Sequence, residues 1–351
     1  MKRQADFDKM RLSLMPHGLY IGIDLGGTNF KVGVIDERGS VLKKISVATK
    51  YEPDEAIADM IGAVTKTTRM AGIGMADVRA IGIASPGSLS NQTGVVLRCA
   101  NLPGWKNVPL CDRISDAFGK PILIENDASA AAFAEFTVAA RKNSPVRNMV
   151  LFTLGTGIGA GIIMEGSLIH GHTQMAGELG HMIVVPNGEL CSCGQHGCLE
   201  MYASASQIGR QASHALQDPD VRSSMRNALT EVGDLTSLVV EQHARQGDTL
   251  ALSIWNRACY YLAIACINIT HSLDPQAIVF GGGMAGAGEF LVQPIQRYFK
   301  TGFWNIEQPQ LVIRTSELKN DAGIIGAATL ARKMVDDGTT IFLGTSQPLH
   351  T

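Results

Sequence analysis

Val150-Leu151-Phe152-Thr153-Leu154-Gly155-Thr156-Gly157-Ile158-Gly159-Ala160-Gly161-Ile162-Ile163-Met164 passes from one apolar run through a glycine-rich turn into a second. Such a pattern predicts a strand, a tight turn and a returning strand, and Glu165-Gly166 followed by Ser167–Ile169 adds a further turn and strand. An earlier counterpart exists. Tyr20–Asp24 ends in Asp24-Leu25-Gly26-Gly27-Thr28, Lys31–Asp36 is a second run, and Glu37-Arg38-Gly39-Ser40 leads into a third, Val41–Val47. Two weakly similar strand–glycine–strand units, at 21–34 and 151–164, predict two related lobes facing one cleft, an arrangement suited to gripping a ligand.

Between and beyond these hairpins the pattern alternates. Pro53-Asp54 opens a segment with Ile57, Met60, Ile61 and Val64 at helical spacing that ends near Gly72, with Asp54 as the expected N-cap. Val78–Ala84 and Pro121–Glu125 read as strands, and 127–140 as an alanine-rich helix that begins directly at an acidic residue. Several helices are expected between Ser204 and Leu273, then a strand at Ala277–Phe280 ending in Gly281-Gly282-Gly283, and a final helix over Asp321–Met334. The tail 335–351 shows no helical period and reads as a loosely packed terminus.

Composition narrows the class. In 351 residues, 30 basic against 32 acidic side chains leave a net charge of −2, which argues against a surface that coats polyanions. With 45% apolar residues, 38 glycines and only 6% aromatics, the chain is globular and leans towards α/β rather than a β-sandwich. The opening segment 1–15 carries Lys2, Arg3, Asp6, Asp8, Lys9 and Arg11, so neither a secretory signal nor a membrane span is expected. Seven cysteines, an odd number, fit a reducing, cytoplasmic location.

Three of those cysteines stand out. His181 precedes Cys191-Ser192-Cys193-Gly194-Gln195-His196-Gly197-Cys198, and three thiolates with one imidazole complete a tetrahedral zinc site with no open position. Such an ion is structural, clamping an irregular loop; a disulfide, unrelated thiols, or His196 in place of His181 are the alternatives. A second signal is Asp24-Leu25-Gly26-Gly27-Thr28, where glycines let backbone amides approach an anion and a carboxylate holds hydrated Mg²⁺. Gly155-Thr156-Gly157 presents a matching set of amides, with Lys31 as a nearby cation, although each turn alone also reads as a plain hairpin. The third is Glu125-Asn126-Asp127, a strand end entering a helix, where Asp127 is placed either as general base or simply as N-cap. Glu178 and Glu200 flank the cysteine loop, as acceptors for sugar hydroxyls or as solvated glutamates. Gly281-Gly282-Gly283-Met284-Ala285-Gly286 satisfies a dinucleotide pattern, with Glu307 beyond it, or serves a close approach to adenosine.

Taken together, these motifs resemble the ROK family of sugar kinases, repressors and relatives. The family's signature is similar to Leu154–Ile162, then Gly171, then Gly177-Glu178-Leu179-Gly180-His181, and its cysteine motif is complete from Cys191 to Glu200. The resemblance implies an α/β, two-lobed actin-like ATPase (ribonuclease H-like) fold with a sugar/ATP cleft between lobes. The small lobe would comprise 19–125 plus 321–340 and the large lobe 126–320. It also implies that Asp127 takes the proton from the sugar 6-hydroxyl as that oxygen attacks the γ-phosphate of ATP, while Asn126, Glu178, His181 and Glu200 bind other hydroxyls. Gly87 and Asn101 match the sugar-side loops of the small lobe. Asp24 would hold Mg²⁺ through water, Gly26, Gly27, Thr28, Thr156 and Gly157 would face the phosphates, and Gly282-Gly283 the adenosine. His181 would bind zinc through one ring nitrogen and turn the other towards the sugar.

Asn101-Leu102-Pro103-Gly104-Trp105 is most similar to glucokinases of the family, which implies glucose as acceptor. A kinase of N-acetylmannosamine or N-acetylglucosamine, then a fructokinase, are the alternatives, with polyphosphate as an alternative donor. A repressor would need a helix-turn-helix ahead of Asp24, where 23 residues leave no room for it. A non-catalytic sugar-binding protein would be expected to lack Asp127 or Asp24. No nucleic acid or membrane partner is expected, and family membership implies a homodimer or homotetramer.

Overall fold

The computed structural model describes residues 18–99, 101–142, 145–304 and 310–338; the charged opening segment 1–15, Glu307 and the tail from 339 lie outside them. The chain divides into two compact units, 1–130 with 321–351, and 131–320.

In the first unit, β1 (Leu19–Leu25), β2 (Asn29–Asp36) and β3 (Val41–Ala48) form the expected antiparallel meander. Beside β1 lie β4 (Val78–Ser85) and then β8 (Ile122–Asn126), both parallel, giving the order β3-β2-β1-β4-β8. The inner strands are apolar along nearly their whole length, as parallel strands covered on both faces must be. One cover is α1 (Pro53–Ala71), whose Ala56, Ile57, Met60 and Val64 enter the core. Its N-cap is Glu52 rather than Asp54, because Pro53, lacking an N–H, takes the first helical position and Asp54 falls in the first turn.

A small sheet of β5 (Ser88–Ser90), β6 (Val95–Arg98) and β7 (Lys106–Val108), followed by α2 (Leu110–Phe118), carries no clear period in sequence. These strands are only three or four residues long, too short to show an alternation. The helix α3 (Asp127–Arg141) starts directly after β8, and the division between units falls within it, after Ala130.

In the second unit β9 (Met149–Leu154), β10 (Ile158–Met164) and β11 (Ser167–Leu168) form a second meander, with β12 (Ala277–Gly281) and β13 (Val312–Thr315) parallel to β9. Its order, β11-β10-β9-β12-β13, repeats that of the first sheet, so the similarity of the glycine hairpins extends to strand topology. The helices that follow are α4 (Glu200–Ala203), α5 (Ala205–Ala215), α6 (Met225–Val232), α7 (Ser237–Arg245), α8 (Thr249–Leu273) and α9 (Glu289–Gly302). Ser204, Thr236 and Asp248 cap α5, α7 and α8, each accepting from an amide three residues on. By length and composition α8 could cross a membrane, but Ile254, Trp255, Leu262 and Ile269 are buried in the core of this unit.

The last helix, α10 (Ala322–Asp337), returns to the first unit and runs three residues beyond Met334. It packs on β1 and β4 with backbone against backbone: a Cβ on Gly22 would lie 1.9 Å from Ile324 O, and one on Gly82 would lie 1.9 Å from Ala327 O. Only glycine permits so close an approach.

Candidate active site

Asp24 lies near the end of β1, opposite Lys31 on β2, with Lys31 Nζ 3.6 Å from Asp24 Oδ2. Burial raises the Asp24 carboxyl above its usual range, Lys31 pulls it down, and the charge of Asp321 pushes it up. The start of α10 presses on the same group, for a Cβ on Gly323 would lie 2.4 Å from Asp24 Cγ. Beyond Asp24 the Gly26–Thr28 turn is anchored from one side: Thr49 Oγ1 donates to Gly26 O at 2.8 Å and Thr49 N to Thr28 O at 2.9 Å. Gly27 meets Asn101, whose Cβ would be 3.1 Å from a Cβ on Gly27. The structure thus brings Asn101 and the Gly26–Thr28 turn together.

At the β8–α3 corner, Asn126 Oδ1 accepts from Ala128 N at 3.0 Å and Ser129 N at 3.2 Å, while Asp127 Oδ1 accepts from Ala128 N at 2.8 Å. The longer-range cap bonds therefore belong to Asn126, whose side-chain oxygen is committed to the helix and whose Nδ2 is the group it can offer a substrate. Asn126 thus takes the N-cap position, and Asp127 is the first residue of the helix, with its Oδ1 bonded to the adjacent amide. Glu125 is buried and accepts from Asn126 N at 2.8 Å and from Asn91 Nδ2 at 3.2 Å. Asn91 sits in a turn between short strands, and no signal in the sequence singles it out.

Cys99 collects the remaining parts. Burial raises its thiol pKa, and the charge of Asp127 raises it further. Its backbone amide donates to Trp105 O at 3.3 Å and its carbonyl accepts from Leu102 N at 3.3 Å, which hangs the Asn101–Trp105 loop upon it. Gly87, with φ +91°, backs onto the same place: a Cβ there would lie 2.2 Å from Arg98 O and 2.9 Å from Cys99 Cα.

In the second unit, the β9–β10 turn holds Gly155, Thr156 and Gly157, with Gly155 N donating to Gly157 O at 3.0 Å. Gly282, at φ +80°, follows β12 and packs against Leu154 beside that turn, 2.5 Å from Leu154 O to a Cβ built on it. A 3₁₀ turn, Gly283–Ala287, then separates the glycine run from α9. A dinucleotide fingerprint requires the glycines to open the helix directly, so the run does not form one.

His181 closes a 3₁₀ turn, Leu179–His181, that starts after Glu178. His181 Nδ1 is 3.6 Å from Cys191 Sγ, Cys193 Sγ is 3.6 Å from Cys198 Sγ, and all four donor atoms lie within 4.8 Å of one another. Tetrahedral bonds of about 2.3 Å place sulfur atoms roughly 3.7 Å apart, so the donor set fits a zinc ion. All seven cysteines are free thiols, and His196 is turned away, its Nδ1 2.8 Å from Gly188 O. The other ring nitrogen, His181 Nε2, is 3.9 Å from Glu178 Oε2. Glu200 reaches the glycine turn, where its Oε2 accepts from Ile158 N at 2.8 Å.

Similarity to known proteins covers the same ground. The family model described as "ROK family" matches residues 20–334. The glucokinase of Thermotoga maritima is 36% identical over 328 residues, 92% of this chain and 99% of its own. The N-acetylmannosamine kinase of Citrobacter koseri is 29% identical over 320 residues, 89% of this chain and 98% of its own. Among solved structures, a glucokinase from Streptomyces griseus in complex with glucose and AMPPNP superposes with a TM-score of 0.77 at 33% identity, covering 90% of this chain and all of that one.

Proposed function

Because this chain belongs to the ROK family, we propose that it is a glucokinase, transferring the γ-phosphoryl group of ATP to the 6-hydroxyl of glucose. The observation that supports the reading is the β8–α3 corner, where the side chain of Asn126 caps the helix and Asp127, which opens it, is a carboxylate at the end of β8. In this reading Asp127 accepts the proton of the sugar 6-hydroxyl as that oxygen attacks phosphorus, and Asn126, through Nδ2, together with Glu178, His181 and Glu200, orients the remaining hydroxyls. Gly87 and Asn101 shape the acceptor side. Backbone amides of Gly26, Gly27 and Thr28, and of Thr156 and Gly157, meet the phosphates, and Lys31 adds a cation. Gly282 and Gly283 permit close approach of the adenosine.

Phosphoryl transfer of this kind depends on positioning and charge neutralisation more than on covalent help. Mg²⁺, when bound with ATP, supplies neutralisation of the phosphate oxygens, and Asp24 would hold it through water. Zinc, held by His181, Cys191, Cys193 and Cys198, would fix the loop and orient His181. A cytoplasmic enzyme, assembled as a dimer or tetramer, belongs to the same proposal.

The similarity to the Citrobacter koseri enzyme supports an N-acetylmannosamine kinase as the second reading. An ADP-release assay with Mg·ATP across glucose, mannose, fructose, N-acetylglucosamine and N-acetylmannosamine decides between them. Highest kcat/KM for glucose is expected. Preference for an N-acetylated sugar would move the assignment to the second reading, and no turnover on all five would sink both.

A further inference from the structure

The glycine turn 155–158 is gripped by a short segment that starts two residues after the last cysteine of the metal cluster. Ala205 N donates to Gly155 O at 2.9 Å, Ser206 Oγ donates to Thr156 O, and Glu200 Oε2 accepts from Ile158 N. The Glu200 carboxylate lies so close that a Cβ on Gly157 would come within 2.4 Å of Oε2. The opposite arm of the cluster reaches the same residue from its other side. Gly180, immediately before His181, approaches Ile158 O so closely that a Cβ there would lie 2.0 Å from it. The two arms are joined to each other, as Leu199 N donates to Met182 O at 2.9 Å.

Peptide planarity turns this anchorage into a directional constraint. In a trans peptide the C=O and the following N–H point in opposite directions. Holding Gly155 O towards Ala205 therefore aims the Thr156 N–H away from the segment, and holding Thr156 O towards Ser206 aims the Gly157 N–H the same way. These are the two amides that the functional reading gives to the phosphates, and an anion site made of backbone amides depends on their common orientation.

We propose that Ser206, with Ala205 and Glu200, is a positioning element for the nucleotide, setting the Thr156 and Gly157 amides and tying their order to the Cys/His cluster. The proposal rests on the reading of this turn as a phosphate site, and it extends the reach of the metal cluster from the sugar ligand His181 to the phosphate donor. Ser206 is exposed and makes no bond to the cluster, so its removal isolates the effect.

The test uses the full chain in three forms, wild type, Ser206→Ala and Ser206→Thr. Amide hydrogen exchange is read over 154–159, and calorimetric titrations are run separately with Mg·AMPPNP and with glucose. Loss of one neutral hydrogen bond corresponds to about a 2–10-fold loss of affinity. Ser206→Ala is expected to exchange faster over 154–159 and to bind Mg·AMPPNP about fivefold more weakly, with glucose affinity unchanged; Ser206→Thr restores both. Chelation of the metal from wild type is expected to speed exchange over the same residues. Unchanged exchange in Ser206→Ala and after chelation would overturn the anchorage, and a parallel loss of nucleotide and glucose affinity would reduce Ser206 to a general structural role. Faster exchange with unchanged nucleotide affinity would instead overturn the assignment of the turn to phosphate, and with it the positioning role.

Discussion

Gly22→Ala probes how α10 closes on the first sheet. A methyl group at residue 22 would lie 1.9 Å from Ile324 O and 2.7 Å from Ile324 C, both backbone atoms. Ordinary contact needs about 3.5 Å, so the helix would have to retreat by roughly 1.6 Å, since no side-chain rotamer can absorb the overlap. Overpacking of this kind costs about 1–3 kcal/mol, and a strand alanine recovers about 0.5–1 kcal/mol of glycine's entropic penalty. A net loss of about 1 kcal/mol corresponds to a Tm lower by about 2–4 °C for a unit of this size. The retreat also moves Gly323 off the Asp24 carboxyl, so KM for Mg·ATP should rise while KM for glucose changes less. Gly62→Ala is the control: Gly62 is an exposed position inside α1 with no atom within 4 Å of an added Cβ, and the same chemical change there should raise Tm by about 1–3 °C. A single retreat would also clear the overlap at Gly82, so Gly22→Ala/Gly82→Ala should cost less than the sum of the two single variants. A thermal melt of Gly22→Ala that coincides with wild type would refute the close-packing argument.

Asp127→Asn should lower kcat by about 10²–10⁴-fold with glucose affinity largely kept, because a proton acceptor is lost while shape is retained; turnover within tenfold of wild type would remove Asp127 from the role of base. Asp24→Asn should weaken Mg·ATP binding yet raise Tm at pH 7, because burial lifts the folded-state pKa of Asp24 and the ionised carboxylate costs stability. The sign follows from linkage: a native group that holds its proton more tightly gains stability relative to the unfolded chain as pH falls, so the advantage of Asn should shrink and vanish below about pH 3.9. An advantage that is flat with pH, or that grows on acidification, would contradict the burial argument. Cys193→Ser should release zinc, measured by metal analysis of the purified protein, and weaken glucose binding through His181; zinc loss with unchanged glucose affinity would separate His181 from the sugar.

Much of this architecture is written in short-range patterns. Alternation and glycine spacing mark both hairpins, the 3.6 period marks α1, and the spacing of Cys191, Cys193 and Cys198 marks a candidate metal loop, because each signal lies within a dozen residues of chain. The short strands β5–β7 escape notice since three or four residues cannot display a period. The roles within the Glu125-Asn126-Asp127 corner were equally hidden. Any of the polar residues there could have capped α3, and only the backbone path selects Asn126.

What the sequence determined by itself is the repeated α/β hairpin plan and the chemical inventory: two glycine turns, the carboxylates of Asp24 and Asp127, and a set of cysteines and histidines of metal-ligand type. The tertiary structure alone decided how that inventory is aimed. Ser206 meets Thr156 across 50 residues of chain, Gly22 meets Ile324 across nearly the whole of it, and Glu200 reaches Ile158 from beyond the cysteine loop. No local propensity encodes such pairs. They arise when buried faces pack and each backbone polar group must find its partner, and that requirement fixes the orientation of the amides and carboxylates.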